Sequence, residues 1–405
     1  LEITRDKGQF EPKRVRTTRA HLEEDAGKSI HDEGAGTAVA GRADSEIDLN
    51  RTGTPLLEIV SEPDMRSSAE AKTFLQDLKL LLTYLGVSDC NMQEGSLRVD
   101  ANVNLHIDAP TGSVGKPVGK IATPIVEIKN MNSFRAVERA LDYEAERQYR
   151  VWQETGQRLG EAPKQTRGWD DAAGVTRGQR SKEESSDYRY FPDPDLVPVI
   201  TTPERVEEVR ASLGELPAQL RTRLTTDFGL SPYDAEVLVN QGRELVDYFL
   251  EVAELSGDAK AACNWVTQEV LRVLKEKQIK ISDFKVSHEM LADQIKEVLA
   301  GNVPESRSKD LFNKVNLEAH LVDKGSVSAS LTVKKAIQDL GIKQVDESEL
   351  VALCQELLDA NPKIVADVQS GKHQAVGALI GQAKQKNPNV DPGQVRATCL
   401  KLIQQ

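Results

Sequence analysis

At 405 residues the chain has room for two or three domains with real cores. Its formal charge of −12, with 29% charged residues, argues against a protein that coats nucleic acid indiscriminately, while leaving space for a local basic patch. No apolar run reaches the length of a membrane span, and the stretch LEITRDKGQFEPKRVRTTRAHL has no apolar signal core. Cys90, Cys263, Cys354 and Cys399 are scattered without a CxxC pair, so neither a zinc site nor a disulfide framework is predicted, and a reducing cytoplasm fits. Leu1 in place of Met predicts an encoded start further upstream.

In chain order, RVRTTRAHLEED (14–25) reads as extended, followed by a Gly/Ala-rich loop, AGKSIHDEGAGTAVAGRAD. TPLLEIV is a short apolar strand that carries a carboxylate: Glu58 shares one face with Leu56 and Val60, while Leu57 and Ile59 take the other. Ser67 and Glu70 have capping-box spacing and open a helix whose apolar positions run from Phe74 to Leu85, ended by Gly86. SLRVDANVNLHI (96–107) alternates cleanly, with Arg98, Asp100, Asn102 and Asn104 on one face. TPIVEIKNMNS repeats the Pro-apolar-Glu arrangement at Glu127, and a helix from about Phe134 to Glu154 follows, stopped by Gly156. After the loop-rich SSDYRYFPDPDLVP the chain reads as helices with Gly/Pro/Asp punctuation, the strongest being GDAKAACNWVTQEVLRVLKEK. The predicted class is α+β, with a mixed-sheet domain at 1–202, an all-α helical domain at 203–328 and a small helical tail at 329–405. The tail differs in charge: residues 363–405 hold six Lys/Arg against two Asp, a local +4 in a chain of −12.

Burying an unpaired carboxylate costs several kcal/mol by rough reckoning, so Glu58 is expected to pair, neutralise or bind a metal. Glu23 and Asp25 share a strand face with His21, and Asp100 sits on the polar face of its own strand; if these strands share a sheet, Glu23, Glu58, Asp100 and Glu127 converge as hard oxygen ligands suited to Mg²⁺. Ordinary solvated carboxylates or structural ion pairs are the alternative, above all for Glu24 and Asp25. AGKS is not a P-loop, because the first Gly of that motif would fall at Leu22. Lys129-Asn130-Met131-Asn132-Ser133 joins a strand to a helix, where anion binding and simple helix capping by Asn132 or Ser133 both fit. Tyr188-Arg189-Tyr190-Phe191 concentrates aromatics in a chain with only 4% of them, which suits either base stacking or an aromatic plug.

HLEEDAGK, DLNRTGTPLLEIVSEPDMRS, GVSDCNMQEGSLRVDANVN, EIKNMNSF and DYRYFPDPDLVP occur in the order seen in the B subunits of the aspartyl/glutamyl-tRNA(Asn/Gln) amidotransferases, and the chain resembles that family over essentially its whole length. The resemblance implies an ATP-dependent carbon–nitrogen ligase with glutamine as amido donor, working as one subunit of a heterotrimer. ATP-Mg²⁺ would phosphorylate the side-chain carboxylate of Glu-tRNA(Gln) or Asp-tRNA(Asn). Ammonia from a separate amidase-type subunit would then displace the phosphate, and a small third subunit would link the other two. The resemblance also implies Glu23, Glu58 and Asp100 as metal ligands and a tail that contacts tRNA. Arg98 would then screen phosphate, Lys129 and Asn130 would orient ATP or the acyl group, and Glu127 would be a structural partner beside Lys129. Tyr188 and Arg189, with the basic Lys372, Lys384 and Lys386 of the tail, are the candidate tRNA contacts.

Three departures from the family pattern stand out. A further N-terminal cradle segment, with an early Glu and His that complete the metal site, is missing, so the cradle reads as truncated at its N-terminus. The loop at 32–46 is longer than usual, and AKQKNPNVDP lacks the usual ending of the tail. The competing reading is a non-catalytic tRNA-binding scaffold. A stand-alone metal-dependent phosphotransferase would suit the acidic residues but not the basic tail.

Overall fold

The computed structural model describes residues 1–3, 10–30, 46–108, 119–179, 197–198, 200–319 and 329–404. The chain forms two compact units, Leu1–Gly214 and Glu215–Gln405. Tyr188 and Arg189 lie outside the described residues.

In the first unit, β1 (Glu2–Ile3) pairs with β2 (Lys13–Arg14), and β3 (Thr17–Glu24) runs antiparallel to β6 (Pro55–Ser61) as a two-stranded ribbon. Between them β4 (Lys28–Ile30), which falls in the stretch expected to be a loop, pairs with β5 (Glu46–Asp48). Helix α1 (Ser68–Tyr84) starts as expected at Ser67, whose hydroxyl accepts from the Glu70 N–H at 3.2 Å. The Glu70 carboxylate does not close a capping box on Ser67. It accepts instead from the Arg66 N–H at 2.6 Å and from Lys13 at 2.8 Å, which fastens the helix start to β2.

The alternating stretch 96–107 is not one strand. Residues 96–100, with Arg98 and Asp100, lie in no strand, and the rest divides into β7 (Ala101–Val103) and β8 (His106–Asp108), because the chain changes partner at Leu105: β7 pairs with β10 (Val126–Lys129) and β8 with β9 (Lys120–Ala122). Thr123 fixes the break, its hydroxyl accepting from the Leu105 N–H at 2.8 Å and its own N–H donating to the Leu105 carbonyl at 2.9 Å. Helix α2 (Phe134–Thr155) is capped by Ser133 and ends at Gly156, which takes the left-handed φ of +66° that closes helices. Strands β11 (Gln165–Asp170) and β12 (Val175–Gly178) complete a four-stranded sheet in the order β12-β11-β10-β7, parallel only between β10 and β11. Helix α3 (Pro203–Ser212) closes this unit in sequence.

The sheet has one buried and one polar face. Val126, Ile128, Met131, Ala136, Val137, Ala140 and Trp169 form the core between α2 and the sheet. Under α2 also lies the completely buried carboxylate of Glu144. Arg147 grips it with contacts of 2.6 to 3.0 Å, the Thr176 hydroxyl of β12 donates to it at 2.7 Å, and Arg167 of β11 stands 3.6 Å away. One turn on, Gln148 donates to the Val103 carbonyl at 3.0 Å and accepts from Thr123 at 2.9 Å. Burial and the neighbouring Arg147 charge push the Arg167 pKa below its ordinary value.

The second unit is helical: α4 (Pro217–Thr226), α5 (Pro232–Val239), α6 (Arg243–Ser256), α7 (Ala259–Trp265), α8 (Leu271–Lys277), α9 (His288–Leu299), α10 (Glu305–Ala319) and α11 (Ala329–Asp339), then α12 (Glu347–Ala360), α13 (Pro362–Gln369), α14 (Gly377–Lys386) and α15 (Pro392–Gln404). Proline in the first turn opens α4, α5 and α13, where its missing N–H costs nothing. The strongest predicted helix is interrupted by a π turn at Val266–Val270, whose extra residue turns Val266, Glu269 and Val270 all inward. Helix α11 packs on α9 and α10, while α12 to α15 enclose a separate core around Cys354, Leu357, Leu379 and Cys399. Among the described residues no helix is long and apolar enough to cross a membrane.

Glu144→Ala strands two mostly buried arginines and is expected to cost about 3–5 kcal/mol, the usual penalty for removing one partner of a buried ion pair. Urea unfolding of the whole chain followed by tryptophan fluorescence checks this, since Trp152 and Trp169 both report on the first unit.

Candidate functional site

Two polar surfaces of the first unit carry the residues that the sequence singles out. The first is one face of the β3–β6 ribbon. Its register sets His21 opposite Glu58, and Glu23 opposite Leu56. Alternation therefore gathers His21, Glu23 and Glu58 on one side, with ligand atoms all within 4.8 Å of one another. His21 Nδ1 lies 3.4 Å from Glu23 Oε1.

The apolar flanks of Glu58 do not bury it. Its side chain is 43% exposed, and Arg19 donates to it at 2.8 Å. The other ribbon face is also open, with Leu22 73% exposed and Leu57 38%. Among the described residues no layer stands behind this two-stranded ribbon to exclude water, so Glu58 is not desolvated as expected and an arginine supplies its partner. One imidazole and two carboxylates make a donor set that suits a divalent cation with open positions for other oxygen ligands. His21 is the member that the sequence did not single out as a ligand, although its i, i+2 spacing from Glu23 in an extended segment carries the signal.

Asp100 does not join this group. It pairs with Lys129 at 2.5 Å on the second surface, the polar face of the four-stranded sheet. There β10 turns Val126 and Ile128 into the core and Glu127 and Lys129 outward. Glu127 stands 3.6 Å from Lys129 and 3.5 Å from Lys164, both measured to Oε1, and accepts from the Thr166 hydroxyl at 3.4 Å. Opposite charges thus alternate from Asp100 through Lys129 and Glu127 to Lys164. Burial works to lower the Lys129 pKa, but the bond to Asp100 and the charge of Glu127 outweigh it, so Lys129 titrates above its ordinary value and stays cationic at neutral pH. Asn130, next in sequence, has a left-handed φ of +65°, unusual for a residue with a side chain.

Arg98, expected to screen an anion, gives its terminal nitrogens to Asp25 instead. Asp25, just past the end of β3, is buried, and Arg51 approaches it at 3.7 Å. Its backbone N–H donates to the Thr54 carbonyl at 2.8 Å, which fixes the entry to β6. The Arg98 hydrogen bond, opposed by burial and assisted by the charges of Arg98 and Arg51, holds the Asp25 carboxyl below the usual range. Asp25 is therefore a structural ion pair that anchors the ribbon end, one of the two roles open to it from sequence.

The three tail lysines lie in the second unit and are exposed. Lys372 pairs with Asp367 at 3.2 Å and Lys386 with Glu356 at 2.6 Å, while Lys384 has no ion-pair partner among the described residues.

Because its folded pKa is depressed, Asp25 contributes stability that is fully present above the unfolded carboxylate pKa and is lost as pH falls through the folded value. Asp25→Asn is expected to lower the urea midpoint at pH 7 and to change it much less at pH 3, so the gap between the two pH values narrows. An unchanged gap would separate the Arg98 contact from acid stability.

A family model described as the GatB/GatE catalytic domain matches residues 1–207, and a second, described as the GatB domain, matches 247–403. The B subunit of the aspartyl/glutamyl-tRNA(Asn/Gln) amidotransferase of Rhodopirellula baltica is 54% identical over 403 residues, covering 100% of this chain and 76% of the relative. The protein of the same name from Chlorobium chlorochromatii is 44% identical over 91% of this chain and 71% of its own length. That of Bordetella petrii is 43% identical over 95% of this chain and 75% of its own. With a catalytic-domain match that ends beyond β12 and so spans both polar surfaces, the chain belongs to the GatB family of tRNA-dependent amidotransferase subunits.

Proposed function

We propose that this chain is the carboxylate-activating subunit of a tRNA-dependent amidotransferase that takes part in protein biosynthesis. With ATP and Mg²⁺ it phosphorylates the side-chain carboxylate of Glu-tRNA(Gln) or Asp-tRNA(Asn). A carboxylate oxygen bonds to the γ-phosphorus and ADP leaves. Ammonia, released from glutamine by an amidase-type subunit in a complex completed by a small third subunit, then attacks the acyl carbon. Its nitrogen forms the new C–N bond, the C–O bond to phosphate breaks, and one proton is shed, giving Gln-tRNA(Gln) or Asn-tRNA(Asn). No side-chain nucleophile is required.

The observation that carries this reading is the face formed by His21, Glu23 and Glu58, which lies within the catalytic-domain match. These three residues would hold the divalent cation, with Arg19 as the counter-ion that Glu58 releases in exchange. When bound, Mg²⁺ would offset the charge on the phosphates. Lys129, fixed between Asp100 and Glu127 and cationic at neutral pH, is placed to orient anionic oxygens, and Asn130 adds an amide beside it. Arg98 acts at a distance from this chemistry, holding the ribbon end through Asp25.

We assign the mixed-sheet segment 1–202 to activation, the helices of 203–328 to support, and the tail at 329–405 to tRNA. The tail's net +4 over 363–405 supports that assignment. Four buried cysteines, none in a disulfide, support a cytoplasmic setting.

The test is ATP-dependent amidation of mischarged tRNA by the reconstituted complex. Glu58→Gln is expected to lower the rate at least ten- to a hundredfold, since even groups behind a metal ligand cost that much. A wild-type rate in this variant would remove Glu58 from the chemistry. A wild-type complex that binds the tRNA and turns over no ATP would instead make the chain a scaffold. For the tail, replacing Lys372, Lys384 and Lys386 with Ala should weaken tRNA binding and reduce the log K against log salt slope by about 2. An unchanged slope would take these lysines out of the binding surface.

A further inference from the structure

Gly168 stands on β11 directly opposite Lys129 of β10, on the sheet face that also carries Glu127 and Thr166. Its φ lies outside the left-handed region, so backbone conformation does not explain a glycine there. A Cβ at this position would lie 2.5 Å from Nε2 of Gln179 and 3.1 Å from Nδ2 of Asn130. The space that a side chain would take is filled by the ends of two amides. Asn130 reaches it from the turn after β10, whose left-handed backbone aims the side chain. Gln179 reaches it from the residue after β12, where its N–H donates to the Thr166 carbonyl at 3.0 Å. Both side chains are exposed, and among the described residues neither amide is committed to a hydrogen bond.

Two exposed amides gain nothing by crowding one bare stretch of backbone, since water satisfies each of them equally well apart. Beside Lys129, with Lys164 beyond Glu127, their N–H groups add neutral donors to an ammonium pair. Several donors aimed at one small region are what the oxygens of a phosphate or carboxylate require.

We propose that Gly168 is a positioning residue, and that it lets Gln179 and Asn130 join Lys129 in a donor cradle for the oxyanion of a substrate. The identity of that substrate, ATP phosphate or the aminoacyl carboxylate, rests on the function inferred above; the cradle itself rests on the geometry. The sheet does not need the glycine for its fold. The atoms that an alanine Cβ would strike are the free ends of flexible side chains, which swing aside at little cost.

Gly168→Ala, Gln179→Leu and Gln179→Lys, each as the full chain in its complex, distinguish these roles. Affinities for ATP-Mg²⁺ and for mischarged tRNA are measured separately, beside the urea midpoint and the amidation rate. Gly168→Ala and Gln179→Leu are expected to weaken one of the two ligands about tenfold, the worth of one hydrogen bond to a charged group, with the midpoint unchanged. Gln179→Lys, which restores a donor, should recover most of the loss. A loss confined to ATP assigns the cradle to phosphate; one confined to tRNA assigns it to the carboxylate. Wild-type affinity for both ligands in Gly168→Ala and Gln179→Leu overturns the cradle, as does a lowered midpoint in Gly168→Ala, which would make the glycine a packing residue. An amidating complex indifferent to all three substitutions sinks the cradle and leaves the reaction standing. A complex that cannot amidate, yet loses ATP affinity with Gly168→Ala, sinks the reaction and keeps the cradle. Failure of the wild type to bind either ligand overturns both.

Discussion

The carboxylate of Glu144 fixes how α2 sits on the four-stranded sheet. It is wholly buried beneath α2, and a charge in that position survives only if its surroundings replace water completely. Arg147 from its own helix, Thr176 from β12 and the nearby Arg167 from β11 do so, and Gln148 carries the network on to β7 and Thr123. Such a network is weak evidence for net stability, because a well-packed apolar substitute can serve as well. What it supplies here is register: α2 cannot slide along the sheet without stranding a charge.

That fixed register decides which way β10 and β11 turn. With Val126 and Ile128 committed to the core under α2, strand alternation leaves Glu127 and Lys129 no choice but the opposite face. The same rule puts Thr166 and Gly168 beside them. The polar surface is thus a consequence of how the buried surface is built. Its charges then organise one another, Lys129 being held from both sides by Asp100 and Glu127.

The β3–β6 ribbon is arranged differently. It has no core layer among the described residues: Leu22 and Leu57 are exposed on one face, and Glu58 is partly exposed on the other. Its order comes from the strand ladder and from ion pairs at its ends: Asp25 with Arg98 and Arg51 at one, Arg16 with Asp64 at the other. The Asp64 carboxyl, bonded by both the side chain and the backbone of Arg16, is held well below the usual carboxylate range. A ribbon held this way can present His21, Glu23 and Glu58 together while leaving them open to solvent. Buried and apolar surroundings would have forced those carboxylates to neutralise.

Local signals were legible without the fold. The Ser133 cap and the Gly156 stop of α2, the Ser67 start of α1, and the strand character of 17–24, 55–61 and 126–129 all follow from side-chain chemistry within a few residues. The family was legible too, because long ordered motifs carry more information than any single site. What the sequence could not decide was partnership across the chain. Nothing near Glu58 announces Arg19, 39 residues away, as its counter-ion, and nothing near Asp100 announces Lys129. The clean alternation of 96–107 did not show that Thr123 would break it at Leu105. The convergence of Gln179 and Asn130 over Gly168 depends on β12, β11 and the turn after β10 meeting in one register. Period and capping are properties of a segment, so the sequence by itself determined them. A charge's partner and an amide's neighbour depend on which segments the core brings side by side, and only the tertiary structure decided those.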